Sequence, residues 1–93
     1  MGYKFEWDPR KAVSNTRKHG ITFDEASTVF GDPLALLKRD PDHSNGEERY
    51  LLLGMSMRRR LIVVVFAESG ARTRLISARP ATRHEKRQYE EET

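Results

Sequence analysis

The sequence predicts an α+β fold: an antiparallel sheet of about four to five strands, with two helices before it and one after it. Three observations lead there. Residues 49–55, 60–67 and 72–79 are apolar or alternating runs separated by turn-forming stretches at 56–59 and 69–71, which is the spacing of an antiparallel meander. Two helix-start signals precede these runs and a third follows them, and helices segregated from an antiparallel sheet define the class. At 93 residues there is material for one core and not two, so residues 1–93 are expected to form a single domain.

The elements follow in order. Residues 3–7 alternate aromatic and polar side chains, as a half-buried strand does. Asp8-Pro9 reads as an N-cap followed by proline in the first helical position, with Trp7 and Ala12 placed as a hydrophobic staple. That helix should end at Gly20. Thr22-Phe23-Asp24-Glu25 fits a capping box opening a second helix, whose buried stripe is Phe23, Ala26 and Phe30 and whose stop is Gly31-Asp32-Pro33. Residues 34–39 form a short strand and residues 40–47 a polar loop. Residues 61–66 are apolar on both faces, so that strand is central. Strict alternation along residues 72–79 would point Arg72, Arg74, Ile76 and Ala78 one way and Thr73, Leu75, Ser77 and Arg79 the other. Pro80 ends the sheet, and Thr82-Arg83-His84-Glu85 repeats the capping-box pattern. The helix it opens carries Tyr89 as its one large apolar residue, too little to hold it by burial alone.

Composition excludes several classes of function. No cysteine is present, so a disulfide framework, a thiolate metal site and a cysteine nucleophile all fall away. Residues 1–5 lack a basic segment followed by an apolar run, so no export signal is expected, and the longest apolar run, residues 61–67, is far too short to span a bilayer. A cytoplasmic protein without membrane attachment is the expectation. The formal charge of +3 hides an asymmetry: residues 54–89 hold nine basic side chains against Glu68 and Glu85. Eight of the nine are arginines, the side chain suited to bidentate phosphate contact, which favours nucleic acid as a partner.

A wider set of residues then comes into view: Phe5-Glu6-Trp7-Asp8-Pro9, Asn15, Lys18-His19-Gly20-Ile21, Phe23, Ala26, Phe30-x-Asp32-Pro33, Glu48-Arg49-Tyr50, and Arg74-Leu75-Ile76-Ser77-Ala78-Arg79 with Ala81, Thr82 and Glu85. In this order and spacing, over nearly the whole chain, the sequence resembles the BrnT family of toxins from type II toxin-antitoxin systems. The resemblance implies a RelE-like fold and endoribonuclease activity that arrests translation. It also implies neutralisation by a BrnA-type ribbon-helix-helix antitoxin, through which operator DNA is bound indirectly.

RNA cleavage without metal or cofactor needs a base for the ribose 2′-hydroxyl, cations for the phosphate and a proton source for the leaving oxygen. Arg79, at the end of the last strand, is the first candidate for phosphate contact, with an internal ion pair to Glu48 or Glu85 as its alternative. His19 and Lys18 complete the catalytic set, although cations at a helix C-terminus are stabilised by the dipole in any case. Arg58, Arg59 and Arg60 in a hairpin turn form a candidate RNA clamp, with Arg74 and Arg49 as further RNA contacts. On strict alternation Arg72 and Arg74 cannot share a site with Arg79 unless the strand bulges between them. Tyr89 is a candidate acid or stacking group, or simply an anchor. Trp7 and Tyr50 could stack on bases, but Trp7 fits the core better. His43 and His84 carry no signal, and histidines this far apart make a metal site unexpected. The reading from another class is a basic adaptor that binds nucleic acid or a protein without cleaving anything.

Overall fold

The computed structural model describes residues 3–41 and 47–92, so His43 lies outside the described residues. Among these the elements are β1 (Phe5–Glu6), α1 (Pro9–His19), α2 (Phe23–Thr28), a short 3-10 turn (Val29–Gly31), β2 (Leu36–Arg39), β3 (Tyr50–Met55), β4 (Leu61–Ser69), β5 (Arg72–Pro80) and α3 (Arg83–Glu92). The predicted order of elements is the observed one. The sheet runs β1-β5-β4-β3-β2, and β2 to β5 pair antiparallel as expected. One correction concerns β1, which lies parallel to β5 with Phe5 opposite Thr73 and Glu6 opposite Arg74, so the sheet is mixed. A two-residue strand paired across most of the chain has its direction set by that distant partner, which local pattern does not record.

Helix α1 is built as its ends prescribe. The Asp8 carboxylate accepts the Arg10 N–H at 2.8 Å, Pro9 occupies the first turn, and Gly20 closes the helix with a left-handed φ of 71° that glycine adopts without strain. Its buried Asn15 does unusual work. Strand β1 covers only the start of β5, and beyond it the Asn15 amide takes the place of a neighbouring strand: Oδ1 accepts from Ala78 N–H at 3.0 Å while Nδ2 donates to Ala78 O at 2.9 Å and to Ile21 O at 3.0 Å. Asn15 is 6% exposed, so each of these polar groups would be costly to leave unpaired.

The two faces of the sheet are covered differently. On one, Ile21, Phe23, Ala26 and Val29 pack on Leu52, Ile62, Val64, Phe66, Leu75 and Ala78, and Phe5, Phe30 and Phe66 meet edge to face with centroids 5.0 Å apart. On the other, Leu53 and Val63 are covered by Ala81 and Tyr89 alone among fully buried side chains. Helix α3 is nonetheless firmly held, by directed polar contacts instead of a wide apolar stripe. Tyr89 donates its hydroxyl to Asp32 at 2.7 Å, Lys38 donates to Gln88 at 3.1 Å, and Arg79 forks onto Glu85. The Asp32 corner also accepts the Met55 and Leu34 N–H groups. Burial pushes this carboxyl up, but those hydrogen bonds and that of Tyr89 outweigh it and hold it below its usual range. The corner reaches β3 because residue 54 is glycine: a Cβ there would stand 2.9 Å from both Ala35 Cβ and Val29 Cγ1.

Strand β5 departs from strict alternation. Val65 faces Ser77 and Phe66 faces Leu75, which leaves Ile76 as an extra residue in a β-bulge. Leu75 and Ala78, three apart, therefore both belong to the helix-covered core. Arg74 and Arg79 accordingly share the opposite face, contrary to the alternation expected from sequence, because the extra residue inverts the side-chain parity.

Candidate functional site

The bulge and α1 together form a groove of about 190 Å³ lined by Lys11, Ser14, Asn15, Lys18, His19, Ile76 and Ser77. Lys11, Ser14 and Lys18 stand on one face of α1 at i, i+3 and i+7, and Asn15 between them grips β5 through Ala78. Lys18 and His19, both expected site residues, thus meet in one place. Lys18 is exposed and His19 half-buried. Lys11, Ser14 and Ser77 were missed by sequence reasoning; the period of α1 could have found the first two, whereas Ser77 depends on the bulge.

At the Lys11 end lies a second set of charges. Arg74 is hydrogen-bonded to Glu47, and Arg49 stands 3.8 Å from the same carboxylate. The Arg74 guanidinium, then burial in the opposite sense, then Arg49 and Lys11 act on Glu47, and the net effect is to hold its carboxyl below the usual range. Arg72 reaches Glu6 at 3.7 Å, and Glu48 pairs with Arg39 at 3.3 Å.

Arg79 stands one residue beyond Ala78 and is turned towards α3. Its two terminal nitrogens donate to the Glu85 oxygens at 2.8 and 2.9 Å, so the internal pair named as its alternative is present. The Arg79 side chain as a whole keeps 37% of its surface exposed. Glu85 also completes the capping box, accepting the Thr82 N–H at 2.8 Å while its own N–H donates to Thr82 Oγ1 at 3.1 Å. Arg79 foremost, against burial and with help from Thr82, brings the Glu85 carboxyl down to about 2.

The three arginines of the β3–β4 turn divide. Arg60 is a structural clasp: its Nε donates to Glu25 Oε2 at 2.9 Å, Nη2 is hydrogen-bonded to Oε1, and Nη2 also donates to Gly20 O at 3.1 Å. Arg58 and Arg59 remain exposed. The expected reciprocal box at Thr22 is only half formed. Thr22 Oγ1 accepts the Glu25 N–H at 3.0 Å, but the Glu25 carboxylate goes to Arg60 and Ser56. Arg60 first, against burial and with Ser56 assisting, lowers its pKa.

Tyr89 is an anchor and not an accessible acid. It is 8% exposed, and its hydrogen bond to Asp32, with burial, pushes its hydroxyl up to about 12. Trp7, half-buried, packs edge to face on Phe23 at 5.7 Å, and Tyr50, also half-buried, lies 5.5 Å from Phe66 with its hydroxyl on Glu48; neither lines the groove that holds Lys18 and His19. His84 is exposed. No group of three or more His, Cys, Asp or Glu among the described residues could hold a metal ion. A larger groove of about 560 Å³, on the other side of α1, is lined by Trp7, Ala12, Val13, Thr16, Arg17, Thr22, Phe23 and Asp24. It contains neither Lys18 nor His19 and offers little of the required chemistry.

Comparison with known proteins bears on the family and the fold. The family model described as ribonuclease toxin, BrnT, of type II toxin-antitoxin system matches residues 7–85. The crystal structure of the Brucella abortus ribonuclease toxin BrnT is similar, with a TM-score of 0.64 and 26% identity, covering 87% of this chain and 99% of that one. No curated protein sequence matches the chain.

Proposed function

The chain belongs to the BrnT family of ribonuclease toxins of type II toxin-antitoxin systems, and from that premise we propose that it cleaves RNA without a bound metal in the groove between α1 and the β5 bulge. The family fixes ribonuclease chemistry, an RNA substrate and an antitoxin partner, and so removes the ground for the adaptor reading. The observation that supports this location is the meeting of His19 and Lys18 with Lys11 beside an irregular strand, since bulges often re-aim side chains next to active sites.

In this reading His19 takes the proton of a ribose 2′-hydroxyl, and the freed oxygen attacks the adjacent phosphorus. The bond to the 5′-oxygen breaks, leaving a 2′,3′-cyclic phosphate and, once that oxygen takes a proton from solvent water, a 5′-hydroxyl. Lys11 and Lys18 offset the charge on the phosphoryl oxygens, and Arg74 extends the cationic track. Arg79, held by Glu85 on the same face as Arg74, contributes positive charge to a neighbouring phosphate from a side chain that keeps 37% of its surface exposed. We also propose a BrnA-type ribbon-helix-helix antitoxin as the neutralising partner, with operator DNA contacted mainly through it. No helix among the described residues is long and apolar enough to cross a membrane.

The test is incubation of antitoxin-free protein with RNA in the presence of a chelator, with analysis of product ends. Cyclic phosphate ends are expected, with His19→Ala reducing the rate about 10²-fold or more and Arg79→Ala about 10-fold while the fold survives. Full activity in His19→Ala, or cleavage abolished by the chelator, would overturn the assignment.

A further inference from the structure

The turn between β3 and β4 holds a residue in a conformation its type disfavours. Arg59 has φ 63°, and no other non-glycine residue among those described has a positive value. The Arg59 N–H donates to Ser56 O at 2.9 Å and the Ser56 N–H to Arg60 O at 2.9 Å. This is the tight hairpin geometry in which the left-handed position is normally glycine or asparagine. An arginine there strains the backbone through its Cβ.

The strain is held by a rigid frame. Ser56 is buried, and its hydroxyl donates to Glu25 at 2.8 Å while accepting the Arg58 and Arg60 N–H groups at 3.2 and 3.3 Å. Met57 N–H donates to Thr28 Oγ1 at 2.9 Å, and Arg60 is clasped by Glu25. These contacts fix the turn to α2, yet its tip is open: Met57 is 79% exposed, and Arg58 and Arg59 are exposed too, with no hydrogen bond or ion pair from either guanidinium. The Arg60 contact with Gly20 O sets the turn against the end of α1 that carries Lys18 and His19. Ala81 N–H bonded to Leu61 O at 2.9 Å brings the end of β5 to the same place.

We propose that this turn is a preorganised binding site for the phosphate backbone of single-stranded RNA, with Arg59 as its principal contact and Arg58 beside it, continuing the track of the α1 groove. The inference rests on the ribonuclease reading above. A strained residue that is exposed, unpaired and fixed by its surroundings is maintained against stability, and backbone strain of this kind gathers at ligand contacts. An arginine at the tip contributes affinity through charge and releases counterions from the RNA, without choosing a sequence.

The consequence is a pair of effects with opposite signs. Arg59→Gly and Arg59→Asn should raise the melting temperature by roughly 4–8 °C, while weakening binding of an uncleavable 2′-O-methyl RNA several-fold. The plot of log affinity against log salt should become shallower by about 0.7, the single-strand value for one phosphate contact. Arg59→Lys should keep most of the affinity and gain no stability, because its Cβ is the same. Stabilisation with unchanged RNA affinity and unchanged salt slope would make the turn a strained hairpin with no RNA role. Loss of stability in Arg59→Gly would show that the side chain supports the fold. Wild-type protein that neither binds nor cleaves RNA would instead overturn the ribonuclease site reading itself, a separate result.

Discussion

Helices α2 and α3 begin with the same pattern, a threonine followed three residues later by a glutamate, and their carboxylates behave differently. At α3 the Glu85 oxygens reach back to Thr82 and out to Arg79 together. At α2 the threonine performs its half, but Glu25 turns away to Ser56 and Arg60. The local motif sets where each helix starts; a guanidinium from outside the helix, Arg79 at the end of β5 or Arg60 in the β3–β4 turn, decides where the carboxylate goes. Where that guanidinium arrives from the side of the cap, one carboxylate serves both. Where it arrives from a turn behind the helix, the reciprocal cap is given up for the stronger partner.

The most disruptive way to probe the contrast is Glu25→Ala. Glu25 has 4% of its side-chain surface exposed and ties α2, the Ser56 turn and Arg60 together, so its loss should destabilise the protein by about 2 kcal/mol. The denaturant midpoint should fall with an unchanged slope. A fall no larger than that of an ordinary cap would mean that the clasp adds nothing to Thr22.

A smaller effect is expected for Glu85→Gln, on the order of 1 kcal/mol at neutral pH from the weakened cap and fork. Because the folded Glu85 carboxyl is brought from 4.5 to about 2, its contribution is fully present above the unfolded value and is lost as pH falls towards 2. The difference between wild type and Glu85→Gln in urea unfolding should therefore shrink across that window. A difference that stays constant down to pH 2 would show that Arg79 is not what keeps Glu85 charged.

The finest comparison is a pair of double-mutant cycles. Thr82→Ala with Glu85→Ala should show coupling of about 0.5 kcal/mol or more, since the two side chains cap one helix start jointly. Thr22→Ala with Glu25→Ala should be close to additive, because the Glu25 carboxylate does not close that box. Equal coupling in the two cycles would erase the distinction.

What the sequence made legible was whatever is settled within a few residues. Asp8, Pro9 and Gly20 mark α1 at both ends because capping is local, and the β3 to β5 meander is written in its turns. The mixed character of the sheet was not legible, since the β1 partner lies at Thr73 and Arg74. Nor was the bulge: Ile76 is an ordinary strand residue, and no glycine or proline marks the place where the parity inverts. That inversion separates a site with Arg74 and Arg79 on one face from the alternation that would divide them. Lys18 and His19 could be named from the end of α1, but Ser77 joins them only through the long-range hold of Asn15 on Ala78.

That hold also sets an order in time. Asn15 and Ala78 are 63 positions apart, a gap that takes roughly 3–13 s to cross at the pace of bacterial and eukaryotic translation. Throughout that interval α1 has no strand edge to orient it, and the cations on its inner face have no wall opposite them. A nascent chain therefore carries the residues of the groove without the groove until β5 has been synthesised and captured.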